Sequence, residues 1–211
     1  MKNKVILLLI SILCTTPCFA QIDSLVYTID EISVISFFND SETNTSEFTK
    51  DQLVRNNYGQ EPANLFVKNP SIISLNDNGT EFGYGYFRIR GLDQTRINVM
   101  LDGCPWNEAE DFGSYFANSP DLMSSMENIA VNRGTSSNNN GIAGSAGSVN
   151  LESVNIWHDN DSYVHLGGGS FNSFKSSVIY NMTPRNGWGL HIKATHQQTD
   201  GYRDYGFNNS K

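Results

Sequence analysis

Four short patches between Phe87 and Asn150 constrain this chain more than its composition does. The first is Phe87-Arg88-Ile89-Arg90-Gly91 and the second Ile97-Asn98-Val99-Met100-Leu101-Asp102-Gly103. The third runs from Glu127 to Arg133-Gly134, and a Gly/Ser/Asn-rich segment from Gly141 to Asn150 closes the series. Apolar runs this short, ended by Arg-Gly or Asp-Gly, read as strands joined by tight turns. Gly91, Gly103 and Gly134 follow the strand ends, where a residue without a Cβ permits a positive φ.

The amino end reads as an export signal. Lys2 and Lys4 form a positive start, Val5 to Leu13 is apolar apart from Ser11, and Cys18-Phe19-Ala20 suits cleavage before Gln21. The apolar run falls well short of the ~20 residues of a spanning helix. The residues before Cys14 and Cys18 fit a lipoprotein signal poorly. Residues 1–20 are therefore expected to be removed, leaving Cys104 without a partner for an internal disulfide. No base adjoins Cys104 in sequence, so its thiol reads as a buried or half-buried bystander. The formal charge of −8 falls by two, to −10, with Lys2 and Lys4 gone. That argues against nucleic acid as a partner, because such surfaces are rich in Lys and Arg. No later apolar run approaches spanning length, so any membrane insertion must use strands.

Along the chain, Ile29 to Ile35 alternates as an extended strand, and the polar run 39–46 reads as a flexible tether. Thr49-Lys50-Asp51-Gln52 has the form of a capping box, with Leu53-Val54 as the apolar face of a short helix that Gly59 stops. Pro62 suits the first turn of a second helix carrying Leu65, Phe66 and Val67, ended by Pro70. Strands at 72–75, 87–90 and 97–101 follow, then a helical turn at 121–126 and a strand at 128–131. Residues 45–153 thus read as a mixed α+β domain large enough for a modest core.

The pattern changes over residues 154–211. Trp188, Leu190, Ile192 and Ala194 share one face of an alternating run, residues 177–182 alternate more loosely, and 163–171 form a third candidate. Thr183-Pro184-Arg185-Asn186-Gly187 has tight-turn chemistry. Strands of about ten alternating residues are the material of transmembrane barrels, although a soluble antiparallel sheet alternates in the same way.

Taken in order, Arg90-Gly91, Ile97-Asn98-Val99, Asp102-Gly103, Arg133-Gly134 and Ser136-Ser137 resemble the plug domain of TonB-dependent outer-membrane receptors, most closely the Bacteroidetes type. The resemblance implies an α+β plug followed by the start of an antiparallel transmembrane β-barrel. Three strands cannot close a barrel around such a domain, so the chain reads as a truncated receptor. One departure is Ala146-Gly147 where the family has Gly-Gly.

The same resemblance implies function. Asp30, Glu31, Ile32, Ser33, Val34 and Ile35 look like the TonB box, with residues 21–44 as box and tether, pairing with the periplasmic domain of TonB by β-augmentation. Arg90 and Arg133 correspond to plug arginines that face carboxylates of the barrel wall. The segment after Asp102-Gly103 corresponds to loops beneath the ligand. It carries Trp106, Asn107, Glu108, Asp111 and Tyr115, a mixture of rings and polar groups suited to a small-molecule site. Trp106 is expected to be exposed there, and Phe112 to pack against the wall. The short stretch between Gln21 and Asp30 leaves no room for the extra N-terminal sandwich of glycan receptors, so the implied ligand is a siderophore, haem or a vitamin. Location in the outer membrane and contact with its lipid follow.

No catalytic constellation, cofactor motif or metal site emerges. His191 and His196 fall on opposite faces of a strand and cannot chelate one ion. Gly83-Tyr84-Gly85 and Gly167-Gly168-Gly169 lack the helix and lysine of a phosphate loop, and the Asp/Asn runs near 77 and 160 lack the distal glutamate of a calcium loop. The chain reads as a receptor and not an enzyme. A second reading, a secreted structural or adhesive β-protein, would lack the box and the further strands.

Overall fold

A computed structural model describes residues 44–77, 79–134, 144–158, 161–185, 187–202 and 209–210. The export signal, the Asp30 to Ile35 segment and Ser136-Ser137 lie outside the described residues.

Strand β1 (Thr45–Thr49) leads into helix α1 (Lys50–Asn56), whose capping box forms as expected between Thr49 and Gln52. Helix α2 (Pro62–Phe66) has its proline in the first turn. It buries Leu65 and Phe66, but Val67 caps the helix and points outward, so it does not join the apolar face as its spacing suggested. Then come β2 (Ile72–Asn76), β3 (Gly85–Ile89), β4 (Leu92–Asp93), β5 (Ile97–Leu101) and β6 (Cys104–Pro105). Strands β7 (Met126–Arg133) and β8 (Gly147–Ser153) complete the domain.

The order β1-β7-β8-β5-β6 makes one mixed sheet, with β5 and β8 parallel, and β2-β3-β4 makes a second. Both helices pack on these sheets over a core centred on Phe66, Phe87, Phe116, Ile129, Val149 and Leu151. Rings of Phe66, Phe87 and Phe116 meet at centroid distances of 5.2 to 6.2 Å.

Arg90 and Gly91 have φ of 52° and 83°, and Asp102 and Gly103 have 49° and 78°. Two successive positive φ values match the right-handed twist of the strands they join. Cys104, expected to be at least half-buried, is exposed on the two-residue strand that follows. Among the described residues that strand lies at the sheet edge.

Strands β9 (Tyr163–Gly169), β10 (Ser173–Arg185) and β11 (Trp188–Thr199) form an antiparallel wall, with β12 (Asn209–Ser210) paired to β11. The turn between β10 and β11 is tighter than the sequence suggested, because Arg185 already pairs with Trp188. Thr183 and Pro184 sit instead in a register irregularity of β10, which tolerates a residue without a donor. Alternation divides the wall. Val164, Leu166, Val178, Tyr180, Trp188, Leu190 and Ile192 are exposed on one face, while Lys175, Ser177, Lys193, Thr195 and Gln197 lie on the face toward the domain. An apolar exterior over a polar interior is the arrangement of a transmembrane barrel wall.

Candidate functional site

The domain and the wall meet at Asp121. Ser119-Pro120 delivers this residue in left-handed geometry (φ 54°, ψ 35°), which the short polar side chain of Asp tolerates. A 3₁₀ turn, Leu122–Ser125, follows at once. The carboxylate is thereby aimed away from the core and at β10 and β11. Oδ1 accepts from Lys175 Nζ at 2.7 Å, Asn57 Nδ2 at 2.9 Å and Ser124 Oγ at 2.6 Å. Oδ2 accepts from Thr195 Oγ1 at 2.7 Å and Ser177 Oγ at 3.2 Å. The backbone carbonyl accepts from Lys193 Nζ at 2.8 Å.

Strand register explains the convergence. Ser177 pairs directly with Thr195, and Lys175 and Lys193 lie two residues along their strands on the same face. A second contact reinforces the first, because Lys175 Nζ also donates to Asn57 Oδ1 at 2.9 Å. One ammonium thus ties two distant plug segments to the wall.

Burial pushes the Asp121 carboxyl up, but the Lys175 charge and the hydrogen bonds from Lys175, Ser124 and Asn57 outweigh it and hold it below 3.8. A buried pair of this kind adds little net stability over an apolar contact, yet breaking it strands a charge. Its value lies in fixing one position of the domain against the wall.

The residues singled out from sequence fall elsewhere. Arg90 donates to Asn44 Oδ1, and Arg133 donates to the carbonyls of Asn44 and Pro70. The two arginines therefore gather around Asn44, at the start of β1. Gly134 (φ 131°) lies beside the Arg90 guanidinium.

The loop after β6 is built around Asn107. Its side chain accepts from Val99 N and donates to the Ile97 and Phe112 carbonyls and to Ser114 Oγ, clamping residues 107–114 onto β5. Trp106, expected to be exposed, is half-buried against the core and stacked on Phe116 at 6.4 Å. Phe112, expected to pack, is instead exposed. A proline before the tryptophan does not free it, because its backbone N–H is held by the Val99 carbonyl at 2.8 Å.

Glu108 and Asp111 are exposed at the loop tip, and Tyr115 donates to Asp111. That bond to the Asp111 carboxylate pushes the Tyr115 phenol up to about 12, so the phenol is the donor of the pair. The ring of Tyr115 lies 6.3 Å from Tyr84 and 6.4 Å from Tyr86, forming a tyrosine cluster on the surface. Among the described residues no group of three His, Cys, Asp or Glu side chains could hold a metal ion.

The pairing of Asp121 with Lys175 has no local motif in the sequence. The available signal was two lysines, Lys175 and Lys193, on the inward face of strands whose other face is apolar; an inward charge requires a counter-charge.

A cork-like α+β domain held against the polar face of an apolar-sided strand wall defines a plugged β-barrel protein. Residues 39–148, slightly over half of the chain, match the family described as TonB-dependent Receptor Plug Domain, and the chain belongs to that family. Among solved structures it is similar to the copper transporter OprC (TM-score 0.56, 16% identity, covering 80% of this chain and 26% of that one). It is also similar to the pyoverdine outer membrane receptor FpvA from Pseudomonas aeruginosa PAO1 (TM-score 0.56, 18% identity, 77% and 23%). A third is the siderophore receptor PirA from Acinetobacter baumannii (TM-score 0.53, 17% identity, 75% and 25%). The chain spans about a quarter of the length of these receptors. No curated protein matches it by sequence.

Proposed function

We propose that this chain is the plug and first wall strands of an outer-membrane transporter, driven by TonB, that takes up a scarce nutrient chelate of the siderophore, haem or vitamin class. The observation that carries the reading is the Asp121 cluster, which holds the domain to the polar face of a wall whose other face is apolar. A secreted adhesive sheet has no reason to bury an ion pair between its strands and a separate α+β domain. Solved structures titled as siderophore receptors favour an iron chelate.

In this reading residues 1–20 direct export and are removed, and Asp30 to Ile35 add a strand to TonB. The exposed Glu108 and Asp111 and the half-buried Tyr115 of the 107–115 loop contact the ligand, while Trp106 and Asn107 hold the loop in place. Arg90 and Arg133 steady the start of β1, where the tether from the TonB box enters. The motif spacing resembles receptors of the Bacteroidetes type, the source we propose.

The test is uptake of a radiolabelled ferric siderophore by iron-starved cells carrying the full-length gene. Uptake is expected to vanish on deletion of residues 30–35 and on loss of TonB. A peptide covering residues 27–37 should bind the TonB periplasmic domain, and Ile32→Pro should abolish that by removing a ladder donor. Undiminished uptake in both deletions would sink the proposal.

A further inference from the structure

Gly167, Gly168 and Gly169 occupy the last positions of β9, and nothing in the backbone requires them. None has a positive φ; the left-handed positions of the β9–β10 turn are Phe171 and Asn172, at 56° and 54°. Crowding does not require them either. A Cβ at Gly167 would meet His165 Nε2 at 3.6 Å, one at Gly168 only the Ser173 carbonyl at 4.0 Å, and one at Gly169 Ser173 Cβ at 3.5 Å, all ordinary contacts. Glycine in a strand costs stability, so three in a row mark a place where another group approaches the backbone.

The space they leave is a cavity of about 450 Å³ between this hairpin and plug residues 79–82. That volume suits a small organic molecule. Its other walls are aromatic: Tyr58, Phe82, Phe171 and Tyr202, the last two in ring contact at 6.4 Å. Two charged side chains line it, and they differ. Lys175 is spent on Asp121 and Asn57. Glu81 lines it as an exposed residue whose carboxylate has no hydrogen-bond partner among the described residues. Aromatic faces beside an unneutralised carboxylate attract an organic cation.

We infer that this cavity binds a ligand group carrying an aromatic ring and a positive charge, the ring lying on the Gly167–Gly169 backbone and the charge meeting Glu81. The site needs no TonB, so it can fail while the uptake reading stands, and the reverse.

The experiment uses the full-length receptor in outer-membrane vesicles, with vesicles lacking it as blank, and saturation-transfer NMR with phenethylammonium and its neutral counterpart phenethyl alcohol. The receptor should bind the ammonium more tightly than the alcohol. Glu81→Gln should erase that preference. Gly167→Val should weaken both by about tenfold, because both probes carry the ring that the added side chain would displace. Because valine suits a strand, its unfolding midpoint should hold or rise. Equal binding of the two probes, retained binding in Gly167→Val, or no binding above the blank would overturn the assignment. If Gly167→Val unfolds, the glycines serve folding, and the inference is overturned on that count.

Discussion

Lys175 Nζ lies 2.7 Å from Asp121 Oδ1, with the two side chains 2% and 0% exposed, so this ion pair joins the plug to its wall out of reach of water. The carboxylate is also saturated by Asn57, Ser124, Ser177 and Thr195. Such a contact is all-or-none: the plug either sits with Asp121 in this nest or leaves a buried ammonium behind.

Replacing Asp121 by Ala should therefore cost about 3–5 kcal/mol of plug attachment, the penalty of a buried charge without its partner. Asp121→Asn keeps the shape and the left-handed backbone and should cost less. The double change Asp121→Asn with Lys175→Met should recover most of the loss, since it removes both charges. Urea titration of the full-length receptor, followed by hydrogen exchange at residues 57–60 and 119–125, reads all three. An unshifted Asp121→Ala midpoint would show that the pair holds nothing.

The same contact should respond to acid in one direction. In the attached plug the Asp121 carboxyl is held below its usual 3.8. A lowered value contributes stability that is fully present above 3.8 and is lost as pH falls through the attached-state value. Exchange protection at residues 57–60 should thus stay level from neutral pH down to about pH 5 and decline only below about 4, and Asp121→Asn should flatten the decline. A decline centred near pH 6 to 7 would assign the response to histidine instead.

Gly147 should tolerate no side chain. A Cβ there would overlap the Asn132 carbonyl of the paired strand β7. Gly147→Ala is expected to destabilise by about 1–3 kcal/mol, the usual cost of overpacking. The neighbouring Ala146, where the family resemblance led us to expect glycine, is buried in the core with its N–H on the Arg96 carbonyl at 3.0 Å. Ala146→Gly should therefore lower stability too, by about 1 kcal/mol. Denaturant midpoints of the two variants decide the matter.

Trp106→Ala should act through the fold and not through a ligand. Its ring stacks on Phe116 and closes the core beneath the 107–115 loop. A loss of about 2–4 kcal/mol is expected, slightly under that of a fully buried tryptophan. Asn107→Ala should release the loop from β5 and raise hydrogen exchange at residues 97–99. A stable Trp106→Ala variant would return this residue to the list of surface contacts.

What the sequence by itself determined was local. Thr49 and Gln52 announced a helix start, Pro62 a first turn, and Asp102-Gly103 a hairpin, because caps and turns are decided by residues within a few positions of each other. The period-two run from Trp188 to Ala194 likewise announced which face of β11 is apolar. Side-chain partners were another matter. Arg90 and Arg133 carry the same charge as Lys175, and nothing in their spacing says which cation meets a carboxylate. Trp106 beside Pro105 looked exposed because a sequence does not show that the Val99 carbonyl and the Phe116 ring close over it. Asp121 reaches Lys175 across 54 positions of chain, and such a meeting depends on strand register and on where the folded domain rests against the wall. Only the tertiary structure decides those two things, because they are set by the whole core at once and not by any stretch of residues.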